Sequence, residues 1–326
     1  MKPLLTVICL CYNQEKYVEE AIRSVYQQSG VTFECIVVDD CSTDNSQGVI
    51  GQLAKEFSFD HVILHQENIG NCKSFNEALV LAKGKYVIDL AADDYFLKGA
   101  FQKQIDFFEK QTTDVGMIFS NAELVNEQGQ LVKYHFSVNQ FNKAIDVIPS
   151  GSVFADVLAR YFICVPTMVM RKSWLISLNG YNENLNYEDF DLWVRGSLKS
   201  DFIYLDHILV AKRDHTHSLS KAMFSTNNTN YFDSTLQVCQ FAFNNIRSEN
   251  ERNALLERVK YEGRNASFYQ SNQSVRGFKE LLIKLNYQGR YLKLKWSFFS
   301  IGGKFVVSFK RLFVIRYRTL KTCISK

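Results

Sequence analysis

The sequence predicts an α/β fold around a mostly parallel sheet, and three features predict it. Apolar runs and helical spacings alternate through the first 120 residues. Two of those runs close on paired acids, Asp39-Asp40 and Asp93-Asp94, and both read as buried strands. After Asn121 the alternation loosens into a less regular α+β region, followed from Tyr231 to Tyr287 by helical patterns. Such β-α-β alternation implies parallel strands joined by right-handed crossovers.

The elements follow in order. Leu4–Cys11 is an apolar run of strand length, and Glu15–Gln28 has helical spacing at Val18, Ala21, Ile22 and Val25. Phe33–Val38 is the second strand, and a helix over Asp44–Phe57 follows with Ser42 or Thr43 as its expected N-cap. His61–His65 is a third strand, Cys72–Ala82 a helix that stops at Gly84, and Lys85–Ala91 a fourth strand. A helix over Lys98–Lys110 and a strand over Val115–Ser120 complete the series. The expected organisation is a domain over 1–220, divided into halves 1–120 and 121–220, then a helical region (221–326) ending in a basic amphipathic tail.

Composition supports an enzyme. At 326 residues with 46% apolar side chains and three prolines, the chain has ample material for a core. Eleven of the 38 Lys/Arg and none of the 34 Asp/Glu lie within 281–326, so residues 1–280 hold 27 basic against 34 acidic groups, a net of −7. The eight cysteines form no CxxC and no Cys/His ligand spacing, which points to a reducing compartment. The opening M-K-P-L-L-T-V-I-C-L-C reads as a first strand rather than a leader peptide, and no run of apolar residues is long enough to span a membrane.

Both acidic pairs are expected at the carboxyl edge of the sheet, where open α/β sheets bind ligands. Four carboxylates meeting there repel one another unless a cation lies between them. A divalent metal carrying a diphosphate answers this, because hard cations take oxygen ligands and keep positions open for phosphate. The first βα turn, C-Y-N-Q-E, lacks the glycines of G-x-G-x-x-G and the G-x-x-x-x-G-K-[ST] of a P-loop. The remaining class is α/β enzymes that hold a nucleotide mainly through carboxylates and a metal.

Five segments, in order, resemble one family. T-V-I-C-L-C-Y-N-Q-E, V-V-D-D-C-S-T-D-N-S, E-N-I-G-N-C-K-S-F-N-E-A-L, S-L-N-G-Y-N-E-N-L-N-Y-E-D-F-D-L-W-V-R and R-D-H-T-H-S-L-S are similar to segments of the inverting family-2 glycosyltransferases of GT-A fold. The likeness covers about residues 3–220. It implies a GT-A-type nucleotide-binding sheet flanked by helices, an acceptor-side α+β region and a helical C-terminal extension. It also implies residue roles. Asp40 would meet the base or ribose, opposite a wall of Cys11, Tyr12 and Asn13, with Glu15 and Ser42 nearby. Capping of the following helix is the alternative for Asp40, Ser42 and Asp44. Ala92 and Asp93 would lie at the donor, Asp93 as ligand of Mg²⁺ or Mn²⁺, with Asp94 supporting the loop. The family usually has D-x-D-D here, so Ala91 replaces an aspartate, and Asp89 is a partial substitute at best.

In Glu188-Asp189-Phe190-Asp191 the resemblance assigns the catalytic base to Asp189, with Asp191 in reserve and Glu188 fixing the loop. A helix N-terminus enriched in acids to meet the macrodipole is the alternative. His215 matches the family's R-x-H pattern as a metal or diphosphate ligand, with His217 beside it. Lys73 would reach the base or a phosphate unless it is a plain surface lysine. Trp174 and Trp193 would stack on the acceptor unless they are core.

The tail W-S-F-F-S-I-G-G-K-F-V-V-S-F-K-R-L-F-V-I-R-Y-R places Phe305, Phe309, Leu312 and Phe313 on one helical face beside Lys304, Lys310 and Arg311. Interfacial helices have that composition, although a face packed on the protein itself would too. No nucleic-acid-binding module accompanies the basic run. The expected activity is inverting transfer of a sugar from a UDP-sugar or similar donor to a glycan hydroxyl. The acceptor suited to the tail is lipid-linked, in bacterial O-antigen, capsule or other surface-polysaccharide assembly at the cytoplasmic face of the inner membrane. The alternatives are a nucleotidyltransferase that makes the nucleotide sugar, or a degenerate glycan-binding scaffold suggested by Ala91.

Overall fold

The computed structural model describes residues 2–215 and 230–287. Its first half follows the alternation: β1 (Leu5–Cys11), α1 (Val18–Tyr26), β2 (Phe33–Asp39), α2 (Ser46–Glu56), β3 (His61–Leu64), α3 (Asn71–Leu81) and β4 (Tyr86–Ala91). There follow β5 (Tyr95–Phe96), α4 (Ala100–Phe108), β6 (Val115–Val125), β7 (Leu131–Tyr134), α5 (Phe154–Ala159), β8 (Val169–Arg171), α6 (Lys172–Ser177), α7 (Asp189–Ser197) and β9 (Asp201–Arg213). Three further helices, α8 (Asn230–Phe243), α9 (Glu249–Phe268) and α10 (Asn272–Lys284), close the described chain.

The strands form one sheet in the order β3-β2-β1-β4-β8-β6-β9-β5, with β7 added to β6. β3, β2, β1 and β4 are mutually parallel, as expected of βαβ units. The sequence reading did not foresee β8, which inserts antiparallel between β4 and β6. The strand after α4 therefore lies beyond a short intruder rather than beside β4. It is held there by the 13-residue β9, which runs parallel to it.

β1, β2 and β4 are buried on both faces, as parallel strands under helices must be. Alternate side chains sort into two cores. Val7, Val37, Ile88, Ile22, Ile50 and Phe101 pack on the face covered by α1, α2 and α4. Ile8, Ile36, Val87, Phe75, Phe190 and Trp193 pack on the other. Phe232, Cys239, Leu255, Val259, Phe278 and Leu281 join this second core, so the C-terminal helices extend one face of the sheet. Within it Arg258 pairs with Glu262, donates to the Leu158 carbonyl at 2.9 Å and lies 4.1 Å from the Tyr161 ring centre. α9 starts on a capping box, with Ser248 Oγ accepting from Glu251 N and Glu251 Oε2 from Ser248 N. Among the described residues no helix is long and apolar enough to cross a membrane. The basic tail, with Phe305, Phe309 and Phe313, and His217 lie outside the described residues.

Candidate active site

The nucleoside-side residues form two interlaced loops at the ends of β1 and β2. Asn13 is left-handed (φ 55°), donates its N–H to Ser42 Oγ at 2.8 Å, and accepts from Thr43 N at 2.7 Å through its side chain. Glu15 N donates to Asp44 Oδ2 at 3.0 Å, and Glu15 Oε2 accepts from Asn45 N at 2.8 Å. Ser42 is therefore a loop stitch. Its hydroxyl donates to Asp39 Oδ2, and Asn45, not Ser42 or Thr43, is the N-cap of α2. Asp44 does both: its Oδ2 ties the loops together through Glu15 N, and its Oδ1 accepts at 3.0 Å from the N–H of Ser46, the first residue of α2.

Asp40 anchors a third loop. Its Oδ1 accepts from Ile69 N at 2.9 Å and contacts His65 Nδ1 at 2.9 Å, and its Oδ2 accepts from Gly70 N at 2.9 Å. The other ring nitrogen of His65 reaches Glu77 at 2.9 Å. Burial opposes a charge on this imidazole, but the two carboxylates outweigh it and raise its pKa. Asp40 thus has a structural task that the sequence did not reveal. A carboxylate has about four lone-pair sites, so Oδ2, with one bond, keeps capacity for a ligand. The Cys11 carbonyl is taken by the Asp40 N–H, whereas Tyr12 and, on α3, Lys73 are exposed.

The turn after β4 carries the second acidic pair. Ala92 is buried and its N–H bonds the Leu10 carbonyl, which fixes the turn that carries Asp93. Asp93 Oδ2 and His215 Nε2 lie 2.8 Å apart, bringing together the two proposed metal residues from 122 positions apart. Asp94 turns inward and accepts from Arg213 N at 2.8 Å. Its burial, then the Asp93 charge, push its pKa well above the ordinary carboxylate value. Arg213 completes the clasp: it donates to the Asp93 carbonyl, ion-pairs with Glu20 and lies 4.7 Å from the Tyr17 ring centre.

The three acids around the start of α7 separate into three environments. Asp191 is buried, and its Oδ2 takes Nε and Nη2 of Arg195 at 2.7 and 2.6 Å, while Arg195 also donates to the Leu178 and Gly180 carbonyls. Asp191, the reserve candidate for the base, is thus held in an ion pair inside the protein. Glu188 does fix the loop, since its Oε2 accepts from Asn71 at 2.9 Å. Burial, followed by Asp189 and Asp89, pushes its pKa up to about 8. Asp189 accepts from Phe190 N through Oδ1 at 2.6 Å; its second oxygen has no partner among the described residues, and burial raises its pKa. Asp89 points toward this group rather than the metal turn. It accepts from Tyr181 OH at 2.8 Å, and burial lifts its pKa to about 7, so it does not stand in for the aspartate missing at Ala91. Trp193 and Trp174 are 1% and 5% exposed and belong to the core, not to an acceptor platform.

Residues 6–154 match the family model described as glycosyl transferase family 2. The chain carries a family-2 glycosyltransferase domain. Over 172 residues it is 39% identical to TuaG of Bacillus subtilis, whose name assigns it provisionally to teichuronic acid biosynthesis; the match covers 52% of this chain and 64% of TuaG. It is 28% identical over 200 residues to the uncharacterized glycosyltransferase MJ1057 of Methanocaldococcus jannaschii, covering 60% and 64%. The chain thus spans a little under two thirds of each of these relatives. The S. aureus TarS 1–349 structure in complex with UDP-GlcNAc superposes with a TM-score of 0.62 at 21% identity, over 87% of this chain and 80% of that one. The Pyrobaculum calidifontis mannosyltransferase PcManGT in complex with GDP-Man and Mn²⁺ gives 0.60 at 15%, over 99% and 84%. The likeness is one of fold, and the fold is of GT-A type.

The family-2 domain offers few ligands of its own to a metal. Among the described residues no three His, Cys, Asp or Glu side chains converge to cage an ion. Asp93 and His215 are the adjacent pair, and one or two protein donors are what Mg²⁺ takes when phosphate supplies the rest. The residues present therefore fit a metal brought with a diphosphate. Asn71, Tyr181 and Arg213 lie inside segments that carry the resemblance but were given no role of their own, and Lys212 lies just outside them. The one usable signal was period-2 alternation along the strand that ends in A-K-R-D-H, which sends Lys212 and Arg213 to opposite faces.

Proposed function

We propose that the protein is an inverting, metal-dependent glycosyltransferase that moves a sugar from a nucleotide-diphosphate donor, a UDP-sugar, to a hydroxyl of a glycan acceptor. The observation that carries this reading is the partition of the three acids at α7. Asp191 is spent on Arg195 and Glu188 holds a proton near neutrality, whereas Asp189 keeps an oxygen free. A general base works best with a pKa raised toward the operating pH, and burial moves Asp189 in that direction.

In this reading Asp189 takes the proton of the acceptor hydroxyl as that oxygen attacks the anomeric carbon from the face opposite the leaving group. Glu188, whose pKa the Asp189 charge helps to raise, keeps a second negative charge away from Asp189 while protonated. Tyr12 and the Asn13–Ser42 and Asp40–Gly70 loops line the nucleoside end, with Lys73 at its rim. Asp93 and His215 would hold Mg²⁺ or Mn²⁺, which offsets charge on the departing diphosphate. The TarS complexes with UDP and UDP-GlcNAc and the TuaG name support a UDP-sugar donor and surface-polysaccharide assembly. The basic tail supports a lipid-linked acceptor at a membrane face.

The test is incubation of the full chain with radiolabelled UDP-sugars and Mn²⁺. Slow release of UDP by hydrolysis, faster with a glycan acceptor and abolished by chelator, is expected. Release of pyrophosphate from UTP and a sugar phosphate, without UDP release, would replace this reading with nucleotidyl transfer.

A further inference from the structure

The end of β9 holds two neighbouring cations, and among the described residues only one of them is hydrogen-bonded and ion-paired. The Arg213 guanidinium is fully engaged: it donates to the carbonyls of Asp93 (3.1 Å), Asn126 (3.2 Å) and Glu127 (3.0 Å), and it pairs with Glu20. Lys212 stands on the other face of the strand, half-buried. Its electrostatic neighbours are the Cys164 thiol and the carboxyl groups of Asp94, Asp189 and Asp93. His135, also nearby, bonds the Phe162 carbonyl at 2.7 Å, and burial, reinforced by Lys212, lowers its pKa, so it adds no second positive charge.

None of these carboxylates comes within the 4.0 Å of an ion pair with the Lys212 ammonium among the described residues. Segments 216–229 and 288–326 contain no Asp or Glu that could supply one. Burial works against the charge, but the acidic neighbours outweigh it and hold the lysine above its ordinary pKa. Among the described residues the ammonium has no hydrogen bond or ion pair, and Asp93, beside His215, and Asp189, at the start of α7, are both among the charges that act on it. A compact cation left in that state is a receptor for an anion that arrives with a ligand.

We propose that Lys212 binds the diphosphate of the nucleotide, taking a non-bridging phosphate oxygen at the point where the cleft passes from Asp93 to Asp189. This rests on the glycosyltransferase reading and adds to it a protein cation that acts beside the metal. Because the ammonium is part of the strand edge, its contribution to diphosphate binding persists when the metal is removed.

The experiment is calorimetric titration of the full chain with UDP and with uridine, each in Mn²⁺ and in EDTA. Lys212→Met is expected to weaken UDP binding by about tenfold or more in both conditions, the size of a charge-assisted hydrogen bond, and to leave uridine binding unchanged. Lys212→Arg should keep UDP affinity to within about threefold, since it preserves the charge. If Lys212→Met proves unfolded by circular dichroism, Lys212→Gln, which keeps a polar end, replaces it with the same expectations. UDP affinity unchanged in Lys212→Met or its Lys212→Gln substitute, or uridine affinity lost in parallel with it, overturns the proposal, because the lysine is then only a counter-charge to the carboxylates. A wild-type chain that binds uridine nucleotides normally leaves the parent reading standing in that case. A wild-type chain that binds no nucleoside diphosphate overturns both.

Discussion

Replacing Asp189 and Asp191 in turn separates catalysis from support within one turn of helix. Asp189→Asn keeps an oxygen able to accept from Phe190 N, the 2.6 Å bond that Oδ1 makes, so the start of α7 should hold. What disappears is the proton acceptor. General-base catalysis contributes about 10²- to 10⁴-fold, or roughly 3–5 kcal/mol of barrier, and turnover should fall by that factor while UDP affinity survives. Asp191→Asn does the reverse. It replaces a buried carboxylate that takes two guanidinium nitrogens at 2.7 and 2.6 Å, although Arg195 keeps the Leu178 and Gly180 carbonyls. Losing the charged half of such bonds costs roughly 1.5–3 kcal/mol, or a Tm lower by about 2–5 °C in a chain of 326 residues. The assay is UDP release from a UDP-sugar at a temperature where both variants are folded, with thermal denaturation alongside. An Asp191→Asn protein that is stable but inactive, paired with an active Asp189→Asn, would refute the assignment.

Asp93→Ala should abolish metal-stimulated UDP release without loss of circular dichroism signal, and near-normal turnover with an unchanged Mn²⁺ titration would sink the metal role. Asp89, buried against Tyr181, Glu188, Cys72 and Cys9, titrates at about 7 in the fold against 3.8 for the free side chain, so only the folded state holds its proton between those values. Stability contributed by that proton is complete below pH 3.8 and is lost as pH rises to about 7, a decline of roughly 4 kcal/mol. Asp89→Asn should flatten the difference in unfolding free energy between pH 4 and pH 8; an equal slope in both proteins would show that another group is responsible. Truncation after Tyr287 removes ten basic residues and no acid, and should weaken binding to anionic vesicles in a salt-sensitive way, read by co-sedimentation at low and high ionic strength. A truncated chain that sediments as well as the whole would refute the anchor.

Much of the donor half was legible in the chain because its signals are local. A run such as F-E-C-I-V-V-D-D fixes its own strand, its burial and the edge at which its acids emerge, since side-chain alternation and strand length depend only on neighbouring residues. The parallel run of β1, β2 and β4 and the emergence of Asp39-Asp40 and Asp93-Asp94 at one edge followed from that together with the right-handed crossover. The family resemblance singled out Asp189 among its acidic neighbours. The antiparallel β8, the locked state of Asp191, the loop held by Asp40 and the packing of α8–α10 onto the α7 face were not legible. Three of these depend on partners distant in sequence: β6 for β8, Ile69 and Gly70 for Asp40, and Leu158 for Arg258. The partner of Asp191, Arg195, is only four residues on, and what the chain does not show there is the burial of the pair and the Leu178 and Gly180 carbonyls that hold Arg195. Asp189 and Asp191 carry the same carboxylate, and only the fold decides which one meets a guanidinium and which keeps an oxygen for a substrate. The sequence by itself therefore determined the strands, their edge and the residue types gathered there. The tertiary structure decided which of those charges are neutralised inside the protein, because desolvation and pairing are set by distance in space rather than by position along the chain.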